Sequence, residues 1–142
     1  VLSDLAGQSR LPRRVIVVDQ VPGPWVTGSA DGLAERRWPF ELRVTTVPWL
    51  GACRARNVAL REAESPWVLL LDDDVRLAPG FIDHLIQVAD AYGVDAVSAA
   101  CHLPEQRPDE VTGHDRPRMW AGFASGVSLV SRAAARAAGG FD

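Results

Sequence analysis

The chain has 142 residues, 47% of them hydrophobic and 23% charged, with a net charge of −3, one domain's length with enough apolar material for a continuous core. No stretch nears the roughly 20 apolar residues that cross a bilayer, the first residues lack the features of a signal peptide, and the mildly acidic balance offers no nucleic-acid or polybasic membrane surface. All 15 basic residues are Arg, which excludes the lysine-dependent phosphate loop and Schiff-base chemistry.

Residues 1–9 read as the last turns of a helix. Arg14-Val15-Ile16-Val17-Val18-Asp19 is an apolar strand ending in a carboxylate. Val15 and Val17 face one way, Ile16 and Val18 the other, so both faces are expected to be covered. Residues 20–29 are rich in Gly and Pro, as loops are, and a short helix is expected near residues 31–37. Glu41-Leu42-Arg43-Val44-Thr45-Thr46-Val47 alternates and is β-branched, which predicts an edge-ward strand. Gly51 opens a helix through about Glu64, in which Ala52, Ala55, Ala59 and Ala63 recur so that the helix can approach a sheet closely.

Trp67-Val68-Leu69-Leu70-Leu71 is an unbroken apolar run, expected in the middle of a parallel sheet. Pro79 suits the first turn of the next helix; Phe81, Leu85, Val88 with Ala89, and Tyr92 form its apolar stripe, and Gly93 ends it. Residues 95–100 form the following strand. Residues 101–119 turn to Pro, Arg, Glu, Asp and His without periodicity. That length exceeds the usual connection and is typical of binding loops or lids. Val127 to Val130 form a last short strand, and Ser131 caps an alanine-rich helix to Ala138. Strands alternating with helices predict an α/β fold with a mostly parallel sheet and helices on both faces.

The run through Leu71 continues without a break into Asp72-Asp73-Asp74. Ligands of such sheets bind at the carboxyl ends of the strands, so the three carboxylates sit where chemistry usually sits. Two neighbouring carboxylates about 4 Å apart repel by about 4 kcal/mol at an effective dielectric of 20, a cost that a divalent cation reverses. The plain alternative is a solvated acidic turn. If the chain stays extended, Asp72 and Asp74 point one way and Asp73 the other.

Elsewhere the signals are weaker. Cys53 and Cys101 have neither metal-ligand spacing nor disulfide-scaffold density and read as buried free thiols in a reducing compartment. His102, His114 and Asp115 lie in or beside the long loop and read first as solvated residues. Trp120 reads as core or as a sugar-stacking ring.

Ala55-Arg56-Asn57-Val58-Ala59-Leu60, ahead of Trp67-Val68-Leu69-Leu70-Leu71-Asp72-Asp73-Asp74, resembles the family-2 glycosyltransferases of the GT-A fold. Val17-Val18-Asp19, the stretch from Gly51 to Asn57, Leu71-Asp72-Asp73-Asp74, and Gly126 to Arg132 followed by Gly139-Gly140-Phe141-Asp142 stand in that family's order. Together they cover nearly the whole chain. The resemblance implies a Rossmann-like nucleotide-diphospho-sugar transferase fold, incomplete here, in one partial domain. Residues 1–100 or so would bind the donor, and residues 101–142 would begin the acceptor side.

It further implies an inverting transfer from a nucleotide-diphospho-sugar to an acceptor hydroxyl of an unspecified glycan, lipid or small molecule, assisted by Mg²⁺ or Mn²⁺. Asp74 would be the metal ligand, and Asp72 would hydrogen-bond the ribose or assist the metal. Asp73 would support the site or simply be solvated, Asp19 would contact base or ribose, and Arg56 would lie near the nucleotide. The bland counterparts are a turn or capping Asp19, a salt bridge from Arg56 to Asp72 or Asp19, and an Asn57 that only fixes local backbone. The family's first strand and its catalytic base are expected before Val1 and beyond Asp142, so the chain is expected to be a fragment. Trp49 and Gln20 replace residues common in the family, an Asn and an Asp or Asn. The expected location is the cytoplasm, at the inner face of the membrane in a longer protein.

Two other readings compete. Asp72-Asp73-Asp74-Val75 matches the motif of aspartate-nucleophile phosphatases, but that chemistry needs a Lys and places its motif on the first strand. A degenerate nucleotide-binding module without turnover would keep the fold alone.

Overall fold

The computed structural model describes residues 1–23, 30, 32–33, 35–100, 117, 119 and 126–142. Its elements are α1 (Leu2–Ala6), β1 (Arg14–Gln20), β2 (Glu41–Val47), α2 (Ala52–Glu62), β3 (Trp67–Leu71), α3 (Phe81–Tyr92), β4 (Ala96–Ser98), β5 (Val127–Ser131) and α4 (Arg132–Ala137). The α/β class follows from the alternation of apolar strands with amphipathic helices. No helix among the described residues is long and apolar enough to cross a membrane.

The strands form two sheets. In the first, β1 and β2 pair in parallel, with Val17 opposite Val44 and Asp19 opposite Thr46. In the second, β5 lies between β3 and β4 and runs antiparallel to both, with Leu69 and Val97 each opposite Leu129. The expected parallel arrangement therefore holds for β1 with β2 and for the common direction of β3 and β4, while β5 reverses between them. Helix α2 packs on β1, α3 on β4 and α4 on β5.

The core is built where α3 meets the second sheet: Leu85, Ala89 and Leu129 are buried together against Trp67, Leu69 and Val97. Leu5, Phe40 and Ile82 form a second cluster with Val15, Leu69 and Leu71 beside it. The buried residues of α3 are Ile82, Leu85 and Ala89, with Phe81 packed against them; Leu85 and Ala89 are as expected, Ile82 joins them, and Tyr92 is exposed. The helix begins at Phe81 after Gly80 in the left-handed region, φ 74°, so Pro79 lies in the preceding turn rather than in the helix.

Other boundaries shift as well. The described residues around 30–36 form successive turns, Leu33 N–H to the Ala30 carbonyl and Glu35 N–H to the Gly32 carbonyl, and residues 31 and 34 of the expected helix lie outside the described set. Strand β4 is shorter than residues 95–100. Ser131 does cap α4, its hydroxyl accepting from the Ala134 N–H at 3.3 Å.

The largest departure concerns β1 and β3, both expected to be covered on both faces. In β1 only Asp19 is buried, and in β3 only Leu70. Both strands border a cleft of about 860 Å³ whose walls include Val15 to Val18 of β1 and Val68 to Leu71 of β3. No backbone pairing joins the two strands across it.

Candidate functional site

Arg14, at the start of β1, pairs with Glu64 at 3.0 Å, just ahead of β3. The two strands therefore begin at the same end of the cleft, and their carboxyl ends lie together at the other. That end is lined by Gln20, Arg56, Asp72, Asp73 and Asp74. Ala52, Ala55 and Ala59 of α2, and Ala63 just past its end, line the cleft itself.

The acidic run is held at its root. Asp72 N–H donates to the Gly126 carbonyl at 2.8 Å, extending the β3–β5 ladder by one bond. Beyond it the chain turns at Asp73 and Asp74, so the expected alternation of side chains does not continue. All three carboxylates are exposed. The far side of the turn is tied to α1: Arg76 Nε and Nη2 donate to the Asp4 carboxylate at 2.7 and 2.9 Å, and Leu77 N–H donates to it at 3.2 Å. These bonds hold the Asp4 carboxyl below its usual range, the Arg76 side-chain bond being the largest cause. Gln8 adds bonds to the Ala78 carbonyl and from the Ile82 N–H.

Arg56 brings the cation. It projects from α2 and its Nη2 donates to Asp72 Oδ1 at 3.2 Å, with the Arg side chain 17% and the Asp side chain 50% exposed. The pair is half in water, so its own contribution to stability is small. The bland reading of Arg56 is thus present in the structure, and it is compatible with a role toward a ligand because it sets both groups at the cleft mouth.

Asp19 is placed differently. It stands one residue before the end of β1, opposite Thr46, but is only 7% exposed and does not line the cleft, whereas its neighbours Val18 and Gln20 do. Gln20 Oε1 is buried without a hydrogen-bond partner among the described residues. A buried acceptor at the mouth of a cleft is a group that a ligand N–H or O–H can satisfy. Gln20 entered from sequence only as a departure from pattern; its position at the end of an apolar strand was the available signal.

Asn57 acts at long range rather than locally: its side chain pairs with both backbone groups of Phe141. Cys53, a free and half-buried thiol, donates to the Asp142 carbonyl. The turn that ends the described chain is therefore carried by the same helix as Arg56. Cys101, His102, His114, Asp115 and Trp120 lie outside the described residues. Among those described, no three His, Cys, Asp or Glu residues are grouped so as to hold a metal ion.

The family model described as Glycosyl transferase family 2 matches residues 1–133 of this chain. No curated protein matches it, and no solved structure does.

Proposed function

Since the chain belongs to glycosyl transferase family 2, we propose that it binds a nucleotide-diphospho-sugar at the carboxyl ends of β1 and β3 and serves its transfer, with inversion, to an acceptor hydroxyl. The observation that carries this reading is the convergence of Arg56, Asp72, Asp73 and Asp74 at one cleft mouth. A pyrophosphate needs both charges there: a guanidinium to pair with its oxygens and carboxylates to share a cation with it.

The donor set fits Mg²⁺ or Mn²⁺. These are hard cations that take one or two carboxylates and complete their shell with substrate phosphates and water, so one or two of the exposed Asp carboxylates would serve together with the ligand's own phosphates. Asp74 would ligate the ion, with Asp72 assisting it or meeting the ribose. Bound there, a divalent ion supplies Lewis-acid stabilisation of the departing diphosphate.

The chain's own groups do the rest. Arg56 balances charge on the leaving diphosphate and keeps Asp72 oriented. Gln20 offers its buried oxygen to a base N–H or ribose hydroxyl. In the displacement the acceptor oxygen bonds the anomeric carbon as the bond to the diphosphate oxygen breaks, and the acceptor proton passes to a carboxylate base. We assign that base to none of the described residues.

Calorimetric titration of UDP, GDP, ADP, CDP and dTDP, with and without Mn²⁺, tests the reading on the unaltered protein and on Asp74→Ala. Metal-dependent binding of one nucleotide that the variant loses is the expected result. Equal binding by both proteins refutes the assignment of Asp74.

A further inference from the structure

Gly126 has no backbone reason to be glycine. Its φ does not fall in the positive region occupied by Gly51, Gly80, Gly93, Gly139 and Gly140, so any L-residue could adopt its conformation. The reason lies in what a side chain would meet. A Cβ built on Gly126 would stand 2.5 Å from Asp72 Oδ2, 3.3 Å from its Cγ and 3.9 Å from its Oδ1. The three nearest atoms all belong to one carboxylate. That carboxylate also accepts from Arg56 at 3.2 Å on Oδ1, and its own N–H is bonded to the Gly126 carbonyl.

Asp72 is thus placed by two neighbours, the Arg56 guanidinium at Oδ1 and the bare α-carbon of Gly126 beside Oδ2. We infer that Gly126 is a positioning residue of the donor site: its missing side chain is the space into which the Asp72 carboxylate folds. The inference rests on the donor-site reading given above. An alanine there would not strain the main chain, and the obstructing atoms are the mobile end of a half-exposed side chain. The expected result of the substitution is a displaced carboxylate in a protein that still folds. Loss of site geometry with retained stability separates positioning from packing.

The test is Gly126→Ala, read in three ways. The ¹³C carboxyl resonance of Asp72 reports displacement without any ligand, thermal unfolding reports the fold, and Mn²⁺-dependent titration of UDP, GDP, ADP, CDP and dTDP reports the site. The expected outcome is a shifted Asp72 resonance, a near-unchanged melting temperature, and affinity for the bound nucleotide reduced about tenfold or more, the scale of one charge-assisted hydrogen bond. In an Asp72→Ala background the same alanine should cost nothing further, because the atoms it displaces are gone. A Gly126→Ala protein with wild-type nucleotide affinity, or one equally impaired in the Asp72→Ala background, overturns the inference. If the unaltered protein binds no nucleotide while the Asp72 resonance still shifts, the donor-site reading fails and the placement of Asp72 by Gly126 stands.

Discussion

The Asn57 carboxamide grips the backbone of Phe141 from both sides: Nδ2 donates to the Phe141 carbonyl at 2.8 Å, and Oδ1 accepts from the Phe141 N–H at 2.9 Å. One side chain thereby does what a strand edge does, offering a donor and an acceptor side by side. Gly140 lets it come so close, since a Cβ there would collide with Asn57 Oδ1 and its φ is 96°. The adjacent Arg56 reaches Asp72. Two successive residues of α2 therefore hold the acidic strand end and the Gly-Gly-Phe-Asp turn in one frame.

Asn57→Ala should release that turn. Two half-buried hydrogen bonds are lost, which costs about 1–3 kcal/mol, measurable as a lower urea midpoint with an unchanged slope. The Phe141 amide should exchange with solvent faster than in the parent. Asn57→Asp keeps an acceptor for the N–H but turns a carboxylate toward the Phe141 carbonyl, and should be no better than alanine. Wild-type exchange at Phe141 in Asn57→Ala would contradict the clasp.

Arg56→Ala should separate stability from binding. The half-exposed pair with Asp72 is worth no more than about 1 kcal/mol, so the unfolding midpoint should barely move. Nucleoside diphosphate affinity should fall about tenfold or more, because the cleft mouth keeps its carboxylates and loses the cation that pairs with phosphate. Arg56→Lys should recover only part of it, since a lysine lacks the fork that meets two oxygens at once. Equal losses in stability and affinity would make Arg56 a packing residue instead.

Acid should loosen the attachment of α1. The carboxyl of Asp4 is held low by Arg76 and the Leu77 N–H, that of Asp83 by Ser9 and Arg10, and that of Glu64 chiefly by Arg14. A depressed folded value means the unfolded chain binds protons first as pH drops. The stability these groups contribute is complete above their unfolded values of about 4 and is lost as pH falls through the folded ones. Urea unfolding between about pH 6 and 2 should show this decline, and Asp4→Asn should start less stable and decline less steeply. A parallel decline in both proteins would remove Asp4 from the account.

Leu129, 2% exposed, sits where α3 and the second sheet meet. Leu129→Ala should cost about 2–5 kcal/mol through lost burial and the void left behind. Leu50, 65% exposed, is the control, and its alanine variant should stay within about 0.5 kcal/mol. Comparable effects at both positions in denaturant unfolding would mean the assigned core is wrong.

What was readable from residue order alone has a common character. Apolar runs of strand length, the small-residue spacing of α2, the cap at Ser131 and the Asp72-Asp73-Asp74 terminus each depend on residues within a turn or a strand of one another. So did the family resemblance, carried by short ordered motifs. Periodicity also placed Leu85 and Ala89 in the buried stripe of α3, but it missed Ile82 and set the exposed Tyr92 on that face.

Other features were set by partners far along the chain. Arg76 finds Asp4 across 72 positions and Asn57 finds Phe141 across 84, and nothing local in either segment marks them. The reversal of β5 between β3 and β4, the cleft that β1 and β3 border, the burial of Asp19 and the closeness of Gly126 to Asp72 arise the same way. Short-range sterics and hydrophobic period dictate which elements form. Which edges pair, and which side chains meet at their ends, depends on how the assembled surfaces fit, and that sum exists only once the chain has folded.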